Sequence, residues 1–177
     1  MKKRIINLPM YDPQKIDLPR RCEYVGSVSW LKAIKEFIGE PIVFALDQAL
    51  MCQGNFCGRN NEFIIWVYGD ESLSRFNGVV VLGNQVSQSF IEEQNGLQYT
   101  TFEKTILDSI EYSSVLDQQG ITEALNKYYF SHGESFRGVT IPAKYREEFK
   151  TLENASLDYY DTPTLKTNKN HKMHLGR

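Results

Sequence analysis

Residues 63–83, FIIWVYGDESLSRFNGVVVLG, decide the fold class. The stretch contains two short apolar runs, FIIWVY at 63–68 and GVVVLG at 78–83, separated by polar and turn-forming residues. Short runs rich in β-branched and aromatic residues are typical of buried strands. We therefore predict two buried strands near the middle of the chain.

The segment that follows predicts further strands joined by a tight turn. Asn95-Gly96 favours a hairpin, because both residues tolerate a positive φ. We expect residues 85–90 to form a third, more exposed strand and residues 97–99 to pair back after the turn. The expected sheet is small and antiparallel, with roughly three to five strands.

Helical patterns flank these strands on both sides. Apolar residues from Trp30 to Ile38 repeat at helical spacing, and Gly39 and Pro41 end that helix. Residues 42–52 favour a second helix opened by Pro41, with a strand over 42–46 as the alternative. Further helices are predicted from Thr100 or Thr101, over about 119–130 and over about 142–155. Helices, then a sheet, then helices predict an α+β fold, not a doubly wound parallel one.

The length of 177 residues predicts one domain with terminal segments. We place the domain at 26–161, an extended basic arm at 1–25 and a flexible basic tail at 162–177. Basic residues of the two segments are candidates for contacting nucleic acid or an acidic partner, although simple solubility also accounts for them. These residues are Lys2, Lys3, Arg4, Arg20, Arg21, Lys166, Lys169 and Lys172.

Charge and cysteine content narrow the protein class. The formal net charge of −2 does not indicate a globally basic nucleic-acid binder. Three cysteines, an odd and small number, favour reduced thiols over a secreted disulfide scaffold. No targeting segment is evident, and the longest apolar runs are too short to span a membrane. We expect a cytoplasmic protein without a membrane partner.

Motifs for catalysis are absent from the sequence. It has neither a phosphate-binding glycine loop nor a GxSxG nucleophile elbow. The spacing of cysteines and histidines does not fit a zinc site, and His132 is predicted to be a surface loop residue. We therefore predict no metal, no cofactor and no enzymatic activity. A small nuclease-like enzyme is the alternative, if Asp47, Asp70, Asp108 and Asp117 converge in space.

Aromatic residues are frequent, with ten Tyr and ten Phe. Tyr128-Tyr129-Phe130 and Tyr159-Tyr160 place amphipathic rings near the ends of predicted elements. Such rings suit interfaces, because they combine a large apolar area with a polar tip. Packing in the core or at its boundary is the other interpretation of these residues.

One part of the chain resembles a known family. Helix 42–52 ends in ALMCQG, the two strands follow, and residues 97–108 read LQYTTFEKTILD. This arrangement, over about residues 25–135, resembles the effector domain of AbiEi-type antitoxins, transcriptional regulators of type IV (abortive infection) toxin–antitoxin systems. The residues that match are Thr101, Glu103, Lys104, Thr105, Ile106, Leu107 and Asp108, with Lys104 where the family usually has arginine.

The resemblance implies a regulatory interaction domain that binds a partner macromolecule. In this family the partner would be a nucleotidyltransferase-like toxin. The family usually places a DNA-reading winged helix before this domain, and the roughly 25 residues here do not accommodate a three-helix unit. We therefore expect protein binding in preference to operator recognition. Direct DNA binding through the arm and the tail stays as an alternative.

The motif also has an interpretation in terms of helix capping. Thr100 or Thr101 is expected to cap the third helix, with Glu103 supporting the cap and the positive helix end. Lys104 is expected to be exposed on the first turn. Asp108 is expected to hold a neighbouring loop or Arg59 through a charge-assisted hydrogen bond. A purely structural role for the motif stays open.

Overall fold

A computed structural model describes residues 6–19, 28–55 and 64–158. Arg59 and the basic candidates of the arm and tail lie outside these ranges, as does the Tyr159-Tyr160 pair. The helices are α1 (Val28–Ile38), α2 (Leu46–Cys52), α3 (Phe102–Glu111), α4 (Gln118–Ser131) and α5 (Arg146–Asp158). The strands are β1 (Val43–Phe44), β2 (Ile65–Tyr68), β3 (Val79–Gly83), β4 (Ile91–Gln94) and β5 (Leu97–Thr100).

The strands form one five-stranded sheet in the order β3-β2-β1-β5-β4. This sheet with its flanking helices confirms the predicted α+β class. The pairing, however, is mixed where an antiparallel sheet was predicted: β1–β2 and β4–β5 are antiparallel, whereas β1–β5 and β2–β3 are parallel. The cause at β2–β3 is a 3₁₀ turn at Glu71–Arg75, which carries the chain back before β3 begins.

Two element boundaries differ from the sequence prediction. Residues 42–52 contain both alternatives, strand β1 followed by helix α2, and the break falls at Leu46, whose φ is 49°. The predicted strand at 85–90 is wrong in position. Gln88–Phe90 forms a 3₁₀ turn, and the strand is β4. The predicted hairpin turn is confirmed, with φ values of 55° at Asn95 and 77° at Gly96.

The apolar residues pack in three clusters around the sheet. Helix α1 packs on one sheet face through Trp30, Leu31 and Ile34, as its helical spacing predicted. Trp66 and Tyr68 lie on the opposite face, because side chains alternate along a strand. The third cluster joins α2, α3, α4 and α5. None of the described helices is both long and apolar enough to cross a membrane.

Part of the predicted arm lies against the domain. Asn77 donates to the Asp12 carbonyl oxygen at 2.9 Å and to the Asp17 carboxylate at 2.8 Å. The Ile16 backbone bonds to Arg75 and Asn77 in a single parallel bridge. Residues 12–17 thus form a turn, in which the Lys15 N–H donates to the Asp12 carbonyl at 3.0 Å, and not an extended segment. They are bonded to residues 75–77, just before β3.

A buried glutamine lengthens the short strand β1. Gln48 is fully buried, its Nε2 donates to the Ile64 carbonyl at 3.2 Å, and its Oε1 accepts from the Trp66 N–H at 2.9 Å. These are backbone groups of the β2 segment that β1, only two residues long, does not reach. The side chain of α2 thus takes the place of a neighbouring strand.

Gln48→Leu is expected to lower the free energy of unfolding by about 2 kcal/mol, because it leaves a buried N–H and a buried C=O without partners. Urea denaturation measures the change. Gln118→Leu is the matched control, since Gln118 is exposed and donates to a backbone carbonyl, and it should cost less than about 0.5 kcal/mol. Equal losses for the two variants would contradict the role of Gln48.

Candidate functional site

Helix α3 begins at a threonine cap. Thr101 is the cap residue, and its side-chain oxygen accepts from the Lys104 N–H at 3.2 Å. Glu103 lies in the first turn, where a carboxylate is favoured by the helix dipole. Its Oε2 accepts from the Thr140 N–H at 2.8 Å, so Glu103 also ties the segment before α5 to this helix.

The prediction that Lys104 is exposed is wrong. Only 19% of its side chain is exposed, and its Nζ donates to the Tyr68 hydroxyl at 2.7 Å and forms an ion pair with Asp108. The ammonium also lies 5.0 Å from the centre of the Tyr68 ring. Lys104 is drawn inward because β2 and the next turn of α3 both offer it acceptors.

Asp108 is buried at the centre of this cluster. Its Oδ2 accepts from the Tyr68 hydroxyl at 2.9 Å, and its other oxygen pairs with Lys104. Burial raises the pKa of Asp108, while Lys104 and the Tyr68 hydrogen bond oppose that rise. Burial, followed by the charge of Asp108, raises the pKa of Tyr68, so the hydroxyl stays a donor. Asp108 therefore joins α3 to β2; the predicted bond to Arg59 lies outside the described residues.

Thr105 joins the same helix to β5. Its hydroxyl lies 2.8 Å from that of Thr100 and 2.9 Å from the Thr101 carbonyl oxygen, and both threonine side chains are fully buried. Thr105, Lys104 and Asp108 thus hold α3 against the sheet. Of the polar motif residues, Thr101 and Glu103 are the ones that line an open cleft.

That cleft has a volume of about 670 Å³. It lies among the C-terminal end of α2, the β4–β5 hairpin, the start of α3 and the end of α4. Its lining includes Gln53, Glu92, Tyr99, Glu103, Tyr128 and His132. Lys and Arg are missing from the described residues that line it, so its charged side chains are acidic.

Three stacked rings form one wall of the cleft. The Phe102 and Tyr128 rings stack with centroids 3.9 Å apart, and the Tyr128 and His132 rings with centroids 3.8 Å apart. Tyr128 donates its hydroxyl to the Arg137 carbonyl at 3.0 Å, which fixes the middle ring. His132 is the exposed outer ring, at the end of α4, and lies at the surface as predicted.

The charges of two carboxylates affect the pKa of the middle ring in this wall. Burial raises the pKa of Tyr128, and the charges of Glu92 and then Glu103 raise it further. Glu92 also contributes, after burial, to the raised pKa of Tyr99. The two carboxylates therefore act on the same ring from β4 and from α3.

Gln53 contributes an unsatisfied acceptor beside the cleft. It follows the last residue of α2, and its Nε2 donates to the Thr100 carbonyl at 2.7 Å. Its Oε1 is buried and accepts no hydrogen bond from the described protein. Such an acceptor costs about 1–3 kcal/mol, so a donor reaching it would be stabilising.

Of the other aspartates considered from the sequence, Asp47 and Asp117 lie close enough to interact electrostatically, whereas Asp70 lies apart from them. Burial, with the nearby charge of Asp117, raises the pKa of Asp47 to about 7. Asp70 is exposed at the Glu71–Arg75 turn, and hydrogen bonds from Ser72 lower its pKa. Asp108 is neutralised in part by Lys104. Within the described ranges, no group of three or more His, Cys, Asp or Glu side chains is arranged to hold a metal ion.

Sequence reasoning missed Tyr68, Gln53 and Glu92 as partners of the motif and the cleft. The only local signal was a tyrosine that ends an apolar strand at Tyr68. Glu92 can be assigned to the cleft only when the strand is known to be β4 and when the side chains on each of its faces are known. No family model matches the chain, and neither the curated proteins nor the solved structures provide a significant match.

Proposed function

We propose that this protein is an antitoxin-like regulatory interaction domain of a type IV (abortive infection) toxin–antitoxin system. It binds a partner macromolecule, and the resemblance to AbiEi-type antitoxins implies a nucleotidyltransferase-like toxin as that partner. The observation that carries the proposal is an acidic, aromatic cleft beside an exposed edge strand.

The edge strand supports binding of an extended partner segment. Strand β4 is last in the sheet order, and its last three residues are exposed. Its register with β5, Gln94 opposite Leu97 across a two-residue turn, directs the backbone groups of Ile91 and Glu93 away from β5. Outward N–H and C=O groups of this kind pair with an added strand in many complexes.

The cleft supports side-chain recognition next to that edge. Tyr99 and Tyr128 line the cleft as buried rings, so they give it a fixed apolar floor, while the exposed ring of His132 offers flat area to a partner. Carboxylates and amides around them provide hydrogen-bond groups that orient a partner. The motif of the resemblance supports this surface indirectly, because Lys104 and Asp108 hold α3 where Thr101 and Glu103 face the cleft.

The first test is genetic and biochemical. In the native genome, a gene for a nucleotidyltransferase-type toxin should lie next to this one. Co-expression of the tagged full chain with that toxin should restore growth and retain the toxin on affinity purification. Absence of such a neighbour, or a toxin neither retained nor counteracted, would overturn the proposal.

Glu93→Pro tests the edge strand. Proline removes an N–H that points away from β5, so the hairpin keeps its own hydrogen bonds while an added strand loses one. We expect toxin retention to fall about tenfold, and Glu93→Ala, the matched control, to retain it within about twofold. Equal retention by both variants would show that the partner does not pair with β4.

The two alternative functions depend on other residues. Direct DNA binding depends on the basic candidates outside the described ranges. A nuclease-like site requires converging carboxylates with a lysine, whereas the described Lys104 is paired with one buried carboxylate and Glu92 and Glu103 line a cleft without lysine. No contact among the described residues favours either function over partner binding.

A further inference from the structure

We propose that the cleft binds the guanidinium group of an arginine in a basic, extended segment of the partner. The inference rests on the proposed function, since the partner supplies the arginine.

Charge selects a cation. The charged side chains among the described lining residues are Glu92 and Glu103, and both act electrostatically on Tyr128. A cation in the cleft is attracted by both carboxylates, and a concave surface lined by charges of one sign concentrates ions of the opposite sign. An anion would be repelled by both.

Shape selects guanidinium over ammonium. The ladder of Phe102, Tyr128 and His132 ends in a flat exposed ring, on which a planar guanidinium can stack. Guanidinium also carries five N–H donors in one plane. It can therefore bind a carboxylate in bidentate fashion and still donate a hydrogen bond to another acceptor. An ammonium has three donors and no flat face.

The side-chain amide of Gln53, which is partly buried, provides that further acceptor through its Oε1 atom. Its Oε1 has no donor within the described protein, while its Nε2 is anchored to the Thr100 carbonyl. A small movement of the amide toward the cleft would expose Oε1 to a donor from the ligand. Binding would then recover the free energy that an unsatisfied acceptor costs.

The edge strand β4 determines from which positions of the partner segment an arginine side chain can reach the cleft. Side chains alternate along β4, so Glu92 faces the cleft, whereas Glu93 lies on the opposite face and its carboxylate accepts from Gln98 at 3.2 Å. A partner strand paired with Ile91 and Glu93 would direct every second side chain to the face of Glu92. We therefore expect arginines at alternate positions of the partner segment.

Isothermal titration calorimetry at about 150 mM salt, where general attraction to the acidic chain is screened, tests the proposal. The probe is a capped five-residue peptide of alternating valine and arginine. Matched peptides carry lysine, or citrulline as the uncharged isostere, in place of arginine. We expect the citrulline peptide to bind at least about tenfold more weakly and the lysine peptide about three- to tenfold more weakly.

Protein variants locate the binding. Glu92→Gln and Glu103→Gln should each weaken binding of the arginine peptide about tenfold, since each removes one charge and keeps an acceptor. Glu36→Gln, at an exposed position of α1 outside the cleft lining, is the matched control and should change binding less than about twofold. Unchanged thermal unfolding of all three variants establishes that the fold is retained.

Several results would overturn the proposal: no binding of the arginine peptide, equal binding of the citrulline or lysine peptide, or equal losses for Glu92→Gln and Glu36→Gln. The outcomes separate this inference from the proposed function. A toxin that is retained while the peptides show no dependence on arginine leaves the interaction function standing without a guanidinium site. Specific arginine binding without toxin retention or growth rescue leaves the guanidinium site but removes the antitoxin role.

Discussion

Lys104→Met is expected to lower the free energy of unfolding at pH 8 by about 3–5 kcal/mol. The substitution keeps the length of the side chain but leaves the buried carboxylate of Asp108 without its cation. At pH 5 the loss should be smaller, because Asp108, whose pKa burial already raises, takes up a proton once Lys104 is gone. Urea denaturation at the two pH values measures both effects.

Two further variants test whether the loss of stability in Lys104→Met comes from the unpaired Asp108 carboxylate. Lys104→Met combined with Asp108→Asn should recover part of the loss, since the asparagine needs no counter-ion and its side-chain oxygen still accepts from Tyr68. Lys127→Met is the matched control, because Lys127 is exposed and, among the described residues, bonds only to the Gly54 carbonyl; it should cost less than about 0.5 kcal/mol. A Lys104→Met loss no larger than that of Lys127→Met would refute a stabilising Lys104–Asp108 pair.

Asp47→Asn is expected to stabilise the protein at pH 8 by up to about 4 kcal/mol and to change its stability little at pH 4. Burial, with the nearby charge of Asp117, raises the pKa of Asp47 from its ordinary value of 3.8 to about 7. A difference of about three pKa units corresponds to about 4 kcal/mol. An asparagine avoids the burial of a charge.

The direction in which stability changes with pH follows from the proton that the folded protein keeps on Asp47. Between pH 3.8 and about 7 the folded protein keeps the Asp47 proton that the unfolded chain has lost. The contribution of Asp47 to stability therefore falls as the pH rises through this window, and above pH 7 the folded protein carries a buried charge. Asp47→Asn should remove this slope.

Asp70→Asn is the matched control for that experiment. Asp70 is exposed and its pKa is lowered, so its carboxylate favours the folded state at high pH. The substitution should give no gain in stability at pH 8. A stability-against-pH curve of Asp47→Asn that runs parallel to the wild-type curve would contradict the burial of the Asp47 charge.

The candidate site was partly predictable. The resemblance and the capping pattern both selected residues 101–108, and the structure places Thr101 at the cap and Thr105 and Asp108 in buried contacts. The exposure of Lys104 was predicted wrongly, because its helix position alone does not reveal an acceptor on another element. That acceptor, Tyr68, is 36 residues away in sequence.

The cleft was the least predictable part. Glu92 and Glu103 act on one ring only because the hairpin places β4 beside the start of α3. Glu103 stands in the capping pattern and the motif, but no local pattern distinguishes Glu92 from other exposed glutamates. Tyr128 was noted as an interface candidate, but its stacking between Phe102 and His132 depends on how α3 and α4 pack.

The sequence by itself determined the features that arise from neighbouring residues. The apolar spacing of α1, the positive φ values at Asn95-Gly96 and the Thr101 cap each depend on conformational preferences within one turn or one helix. Tertiary structure decided the mixed strand order, the burial of Lys104 and the acidic cleft beside β4. These features depend on contacts between residues far apart in the chain, and their free energy exists only once the sheet and the helices have packed together.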